Sequence, residues 1–157
     1  MDFSTRGHYI GHMPSNDIAE AVANLGPCGA DSRTDNSLVV ERHDVFDVLQ
    51  VTRDTDLEGD VGVDIVAMEP AKTSSIHRHN LSETVLYFVE GNATVTVDDN
   101  DHAVAAGDRL RIGKGEFHGV RTGASSCRFI SVQMPPILNK TTGFRDLEKI
   151  TDENRSS

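Results

Sequence analysis

Basic residues are scarce in this sequence: 15 Lys and Arg stand against 25 Asp and Glu in 157 residues, a formal net charge of −10. A surface of that sign has no electrostatic footprint for phosphate backbones, which argues against nucleic acid as a partner. An anionic membrane surface would repel it for the same reason. Cysteine is also scarce. Cys28 and Cys127 lie far apart and in no CxxC pattern, so they read as reduced thiols of a cytoplasmic protein rather than a disulfide framework. No apolar run approaches the roughly 18 residues that span a bilayer. Residues 1–10 carry one Arg and no apolar stretch of the secretory type, so no signal peptide is expected. What remains is one domain's length of chain, able to bury a core without covalent staples. Its apolar residues, 37% of the total, are clustered rather than diluted.

Residues 1–37 read as an N-terminal extension. Ser15 is placed to cap a short helix, with Ile18, Ala19, Val22 and Leu25 at helical spacing and Gly26-Pro27 ending it. From Leu38 the pattern changes to short runs rich in Val, Ile, Thr and Phe: 38–40, 45–52, 61–68, 84–89, 93–97, 109–112 and 128–134. Gly, Asp and Asn punctuate them, which predicts an all-β sandwich or barrel over residues 38–136. Residues 94–104 read as a hairpin around an Asp/Asn-rich turn. After Pro135-Pro136 the sheet pattern stops. Residues 137–157 are expected to form a tail with a short helix near 144–150 and a frayed end.

The segment that carries chemistry runs from Ser75 to Glu83 and contains His77, His79 and Glu83. Alternation along a strand points His77 and His79 to one face. Glu83 shares their odd parity, provided the chain stays extended between them. Three such groups on one face are costly to bury unpaired, and a divalent metal is the usual solution. Further on, Gly113 and Gly115 suit tight turns with positive φ and deliver His118, expected as a fourth ligand.

These two segments resemble the two motifs of the cupin superfamily. The first motif reads Gly, five residues, HxH, three or four residues, Glu, about six residues, Gly. Here Ala71 stands at the first Gly, followed by His77, His79, Glu83 and Gly91, with seven residues between the last two. That extra residue hints at a bulge. The second motif reads Gly, five residues, Pro-x-Gly, two residues, His, three residues, Asn. Gly107, Gly115 and His118 match it, Gly113 replaces the Pro and Thr122 the Asn. The resemblance implies a double-stranded β-helix (jelly-roll) barrel holding one divalent metal on His77, His79, Glu83 and His118. Fe(II) is the favoured ion, and Mn, Ni, Zn, Co or Cu suit the same ligands.

Function then has to be argued from the site. The favoured reading is an Fe(II) dioxygenase-type oxidoreductase acting on a small polar molecule. A non-redox isomerase, epimerase or lyase using the metal as a Lewis acid is the second reading. A binding barrel without turnover is the third, and residues 1–37 are too short and too poor in basic residues for a helix-turn-helix. Tyr87, which shares parity with Glu83, is a candidate catalytic phenol. Gln133 is a candidate substrate-orienting amide if Phe129, Ser131 and Gln133 face inward; the opposite face, Ile130, Val132 and Met134, is the favoured core face. Arg109 and Arg111 read as surface charges, Arg78 as pointing away from the metal, and His43 and His102 as ordinary surface histidines. Small cupins often pair, so a homodimer is compatible with this reading.

Overall fold

The computed structural model describes residues 38–139 and 142–150. The expected N-terminal helix, Cys28, and the frayed end lie outside them. Twelve strands fill the described residues. In chain order they are β1 (Val40–His43), β2 (Phe46–Gln50), β3 (Gly62–Met68), β4 (His77–Arg78), β5 (Glu83–Val97) and β6 (Asn100–Ala105). Then follow β7 (Arg109–Ile112), β8 (His118–Arg121), β9 (Cys127–Met134), β10 (Leu138–Asn139), β11 (Phe144–Arg145) and β12 (Glu148–Lys149). All pairings are antiparallel, and ten of the strands form one curled sheet along the path β1-β2-β3-β9-β5-β8-β4-β12, with β6 and β7 also on β5.

The hinge of the curl is β5. Its first half pairs with β9 and β7, its second with β6 and β8. Between them the register with β9 slips at Val89, the bulge that the motif spacing hinted at. Gly91 follows at φ +72°, and a Cβ there would meet the Ser126 carbonyl oxygen at 2.0 Å. Only glycine lets the strand pass so close. The two runs expected at 84–89 and 93–97 are therefore one bent strand. The hairpin after it turns on two residues, Asp98 and Asp99, both at positive φ, the geometry whose twist matches paired strands.

Inside the curl, Val48, Val66, Met68, Leu86, Phe88, Val95, Ile112, Val120 and Phe129 form the core. Phe88 and Val95 are wholly buried, each side chain worth about 1.5–3 kcal/mol relative to exposure. They fix the facing of β5: Thr84, Leu86 and Phe88 look inward, while Val85, Tyr87 and Val89 look out. In β9 the inward face is Cys127, Phe129, Ser131 and Gln133, the reverse of the favoured expectation. Apolar residues stand on both faces of this strand, and the inward one also carries Ser131 and Gln133, so alternation alone could not choose.

The tail corrects another expectation. Residues 144–150 form two short strands, not a helix. β11 pairs with β10, and β12 pairs with β4, opposite His77 and Arg78. Ala71, at the motif's glycine position, adopts φ 55°, a left-handed backbone that costs a residue with a Cβ. Thr122, at the motif's Asn position, is buried and bonds both sides of that turn. Its hydroxyl donates to the Glu69 carbonyl at 2.6 Å and accepts from the Lys72 N–H at 3.1 Å.

Candidate metal centre

His77 lies on β4 and His118 opens β8, directly opposite it in the antiparallel register. His79 follows one residue after β4. Their ring centroids are 4.4–5.1 Å apart, and one nitrogen from each falls within 4.8 Å of the others. The other nitrogen of each ring is held by a backbone carbonyl. Nδ1 of His77 meets Ser75 O at 2.9 Å, Nδ1 of His118 meets Glu116 O at 3.0 Å, and Nδ1 of His79 meets Asp146 O. A carbonyl only accepts, so each Nδ1 carries the proton and each Nε2 presents a lone pair.

Burial keeps these rings neutral. It pushes His77 down to about 4 and His118 to about 3, with the neighbouring imidazoles adding to the effect, and it lowers His79 as well. Three neutral rings with converging lone pairs have no protons to offer one another. A divalent cation satisfies all three, and carbonyl-fixed imidazole is the usual way a protein orients such ligands. The residues present therefore fit a metal.

Glu83 does not join them. Its carboxylate faces outward and forms a two-pronged pair with Arg111, at 2.6 and 3.0 Å, which holds its carboxyl below the usual range. The parity argument fails because residues 79–83 are not extended. They wrap around Asp146, whose carboxylate accepts the backbone N–H of Asn80, Leu81 and Ser82, each at 2.9 Å. Burial opposes ionisation of Asp146, yet these three bonds prevail and hold its carboxyl below its ordinary value. The turn shifts the alternation by one residue, so Thr84 enters the barrel. Leaving the motif's six residues before Gly91 also leads to Thr84. The motif's carboxylate position is thus occupied by threonine, and Glu83 is its outward neighbour.

The histidines open onto a cavity of about 200 Å³ between the two halves of the sheet. Its walls are mainly apolar, with Phe46, Val48, Val66, Leu86 and Phe129 among them, and Thr84 and Ser131 supply hydroxyls. Asp44 is the one carboxylate on the lining among the described residues, and it accepts the Ser75 N–H at 2.8 Å. Arg145 and Lys149 of the tail stand on the same lining.

Tyr87 is 44% exposed on the outer face, where the inward packing of Leu86 and Phe88 puts it, so it does not reach the cavity. Gln133 does turn inward but stands behind the wall. Its Nε2 donates to Asp64 Oδ2 at 3.0 Å and to Ser131 Oγ. Desolvation raises the buried Asp64 carboxyl above its ordinary range, and the Gln133 bond only partly offsets it. Arg78 turns away from the histidines as expected, pairing with Glu148 and covering the Phe117 ring at 4.7 Å. His43 belongs to the cavity lining, contrary to its reading as an ordinary surface residue, with Nε2 3.2 Å from Glu41 Oε2. Asp146 carried no sequence signal, because its contacts reach 64 to 66 residues back along the chain.

The family described as Cupin domain matches residues 64–133. No curated protein matches the sequence. Among solved structures, Rru_A2000 from Rhodospirillum rubrum, described as a cupin-2 domain, superposes with a TM-score of 0.62 at 14% identity, over 83% of this chain and 86% of that one. Pac13, described as a unique nucleoside dehydratase, gives a TM-score of 0.60 at 14% identity, covering 74% of this chain and 88% of its own. A protein from Thermotoga maritima described as a predicted oxalate decarboxylase gives 0.58 at 15% identity, covering 66% and 97%. At these identities the likeness is one of fold.

Proposed function

We propose that the chain belongs to the cupin superfamily and that its barrel is a metal-dependent enzyme of the Fe(II) dioxygenase type, with the ion held by His77, His79 and His118. The observation that carries this reading is the set of three converging Nε2 lone pairs, each aimed by an Nδ1–H bond to a carbonyl. Bound there by His77, His79 and His118, divalent iron would supply redox chemistry with dioxygen.

The chain's own residues do the rest. The apolar walls exclude water around the substrate. Thr84 and Ser131 offer hydroxyls to orient it, and Gln133 positions Ser131 from behind. Its two Nε2 protons go to Asp64 and Ser131, which leaves the Ser131 proton free to point elsewhere.

Oxygen uptake tests the reading. The anaerobically purified, Fe(II)-loaded chain is expected to consume one dioxygen per product formed with a small molecule that fits the cavity. Turnover supported by zinc, nickel or manganese without oxygen consumption would replace the reading with Lewis-acid chemistry. Failure to bind any metal would reduce the barrel to a binding module.

A further inference from the structure

Charge balance in the cavity points to the kind of molecule it takes. Three imidazoles are neutral ligands, so a divalent ion held by them keeps its full positive charge. A carboxylate ligand would halve it, but Glu83 faces outward in its pair with Arg111, and threonine stands at the inward position. Thr84 is 4% exposed and its hydroxyl has no hydrogen-bond partner, although a buried hydroxyl normally has one. The Ser131 hydroxyl accepts from Gln133 and keeps its own proton to donate. Asp44 is engaged by the Ser75 N–H, while Arg145 and Lys149 add positive charge to the lining. With a divalent ion bound, Asp44 is the one carboxylate among the described lining residues, against that ion and two cationic side chains, so the lining is net positive and also offers hydroxyl protons.

The rest of the lining limits what carries the balancing negative charge. Phe46, Val48, Val66, Leu86, Ile112 and Phe129 are apolar. A 150 Å³ apolar cavity holds benzene, so about 200 Å³ admits a ring or short branched chain together with one carboxylate.

We propose that the site binds a small monocarboxylate with an apolar body, its carboxylate supplying the charge that Thr84 withholds and accepting hydrogen bonds from Thr84 and Ser131. This rests on the metal-binding reading above and adds the substrate class to it. Anion selectivity is thereby assigned to one residue of this chain, the threonine in place of a carboxylate.

The experiment uses the full chain loaded with Co(II), whose visible absorption reports its ligands without any turnover. Benzoate is titrated in, with benzamide as its neutral counterpart. Benzoate is expected to shift the spectrum saturably and to bind at least about tenfold more tightly than benzamide, as a charge-assisted hydrogen bond would give. Thr84→Glu is expected to retain Co(II) and lose the benzoate response. Thr84→Val, which keeps shape and fold, is expected to retain Co(II) and weaken benzoate by roughly three- to tenfold for one lost hydrogen bond. Retained Co(II) with no benzoate shift, or equal binding of benzoate and benzamide, overturns the inference and leaves the metal site standing. Absence of Co(II) binding overturns both.

Discussion

The inner and outer faces of β5 and its neighbours carry polar groups in opposite conditions. Outside, Glu83 and Arg111 answer each other in a two-pronged pair. Inside, one residue further along, Thr84 has no partner, and three imidazoles present acceptors with no donor among them. The Glu83–Arg111 pair completes itself; the inner groups are complete only with something bound. Exposed ion pairs of the first kind contribute little to stability, whereas unmatched buried groups cost enough that a fold keeps them for a use. That contrast, rather than the count of ligand-type residues near the motif, separates the site from its surroundings.

Asp146 joins the two faces by setting the turn between them. Asp146→Ala leaves three N–H groups without their acceptor and is expected to destabilise the protein by about 2–4 kcal/mol. Because the turn it sets precedes Thr84 and its carbonyl holds His79, metal affinity should also fall by about 10- to 100-fold. Chemical denaturation and a competitive metal titration measure the two effects. An unchanged affinity would show that the tail merely covers the site.

Acid sharpens the contrast next. In the metal-free chain His77 and His118 titrate at about 4 and about 3, below the ordinary imidazole value of about 6.5. As pH falls, the unfolded chain takes up these protons first. Their contribution to stability is therefore full above pH 6.5 or so and is lost progressively as the pH drops toward 4 and then 3. Melting temperature of the metal-free chain between pH 7 and pH 4 should show this decline. His77→Phe should flatten it, and an equal slope in that variant would contradict neutral burial of the ring.

The smallest effect is expected far from the cavity, at Ala71. Its backbone is left-handed at φ 55°, which costs a Cβ-bearing residue about 1–2 kcal/mol, while glycine brings an entropic penalty of about 0.5–1 kcal/mol. Ala71→Gly should then stabilise the protein by about 0.5–1 kcal/mol and leave metal binding as it was. Denaturant midpoints decide it, and a loss of stability would mean the turn relaxes around alanine.

Much of this architecture is legible in the residues themselves. Runs of β-branched residues broken by Gly, Asp and Asn give the strands, and the HxH spacing with His118 gives the three histidines that converge. What escaped depends on contacts that local pattern does not contain. The facing of β9 is ambiguous because Ile130 and Val132 are as apolar as Phe129, and the choice is made by packing against Phe88 and Phe46. Glu83 misleads because parity holds only along an extended chain, and the turn at 79–83 is bent by an aspartate in the tail. The motif's spacing admits Thr84 as well as Glu83, since it allows three or four residues after the second histidine. β8 was missed because Gly119 and Arg121 interrupt its short apolar run.

On the proposed reading the metal rests on three histidines and owes nothing to Glu83. Elemental analysis of the protein and two variants, purified anaerobically, tests it most directly. We expect about one metal per chain in the parent protein, the same in Glu83→Gln, and a near-complete loss in His118→Ala. Loss of the metal in Glu83→Gln, with the fold intact, would contradict the account.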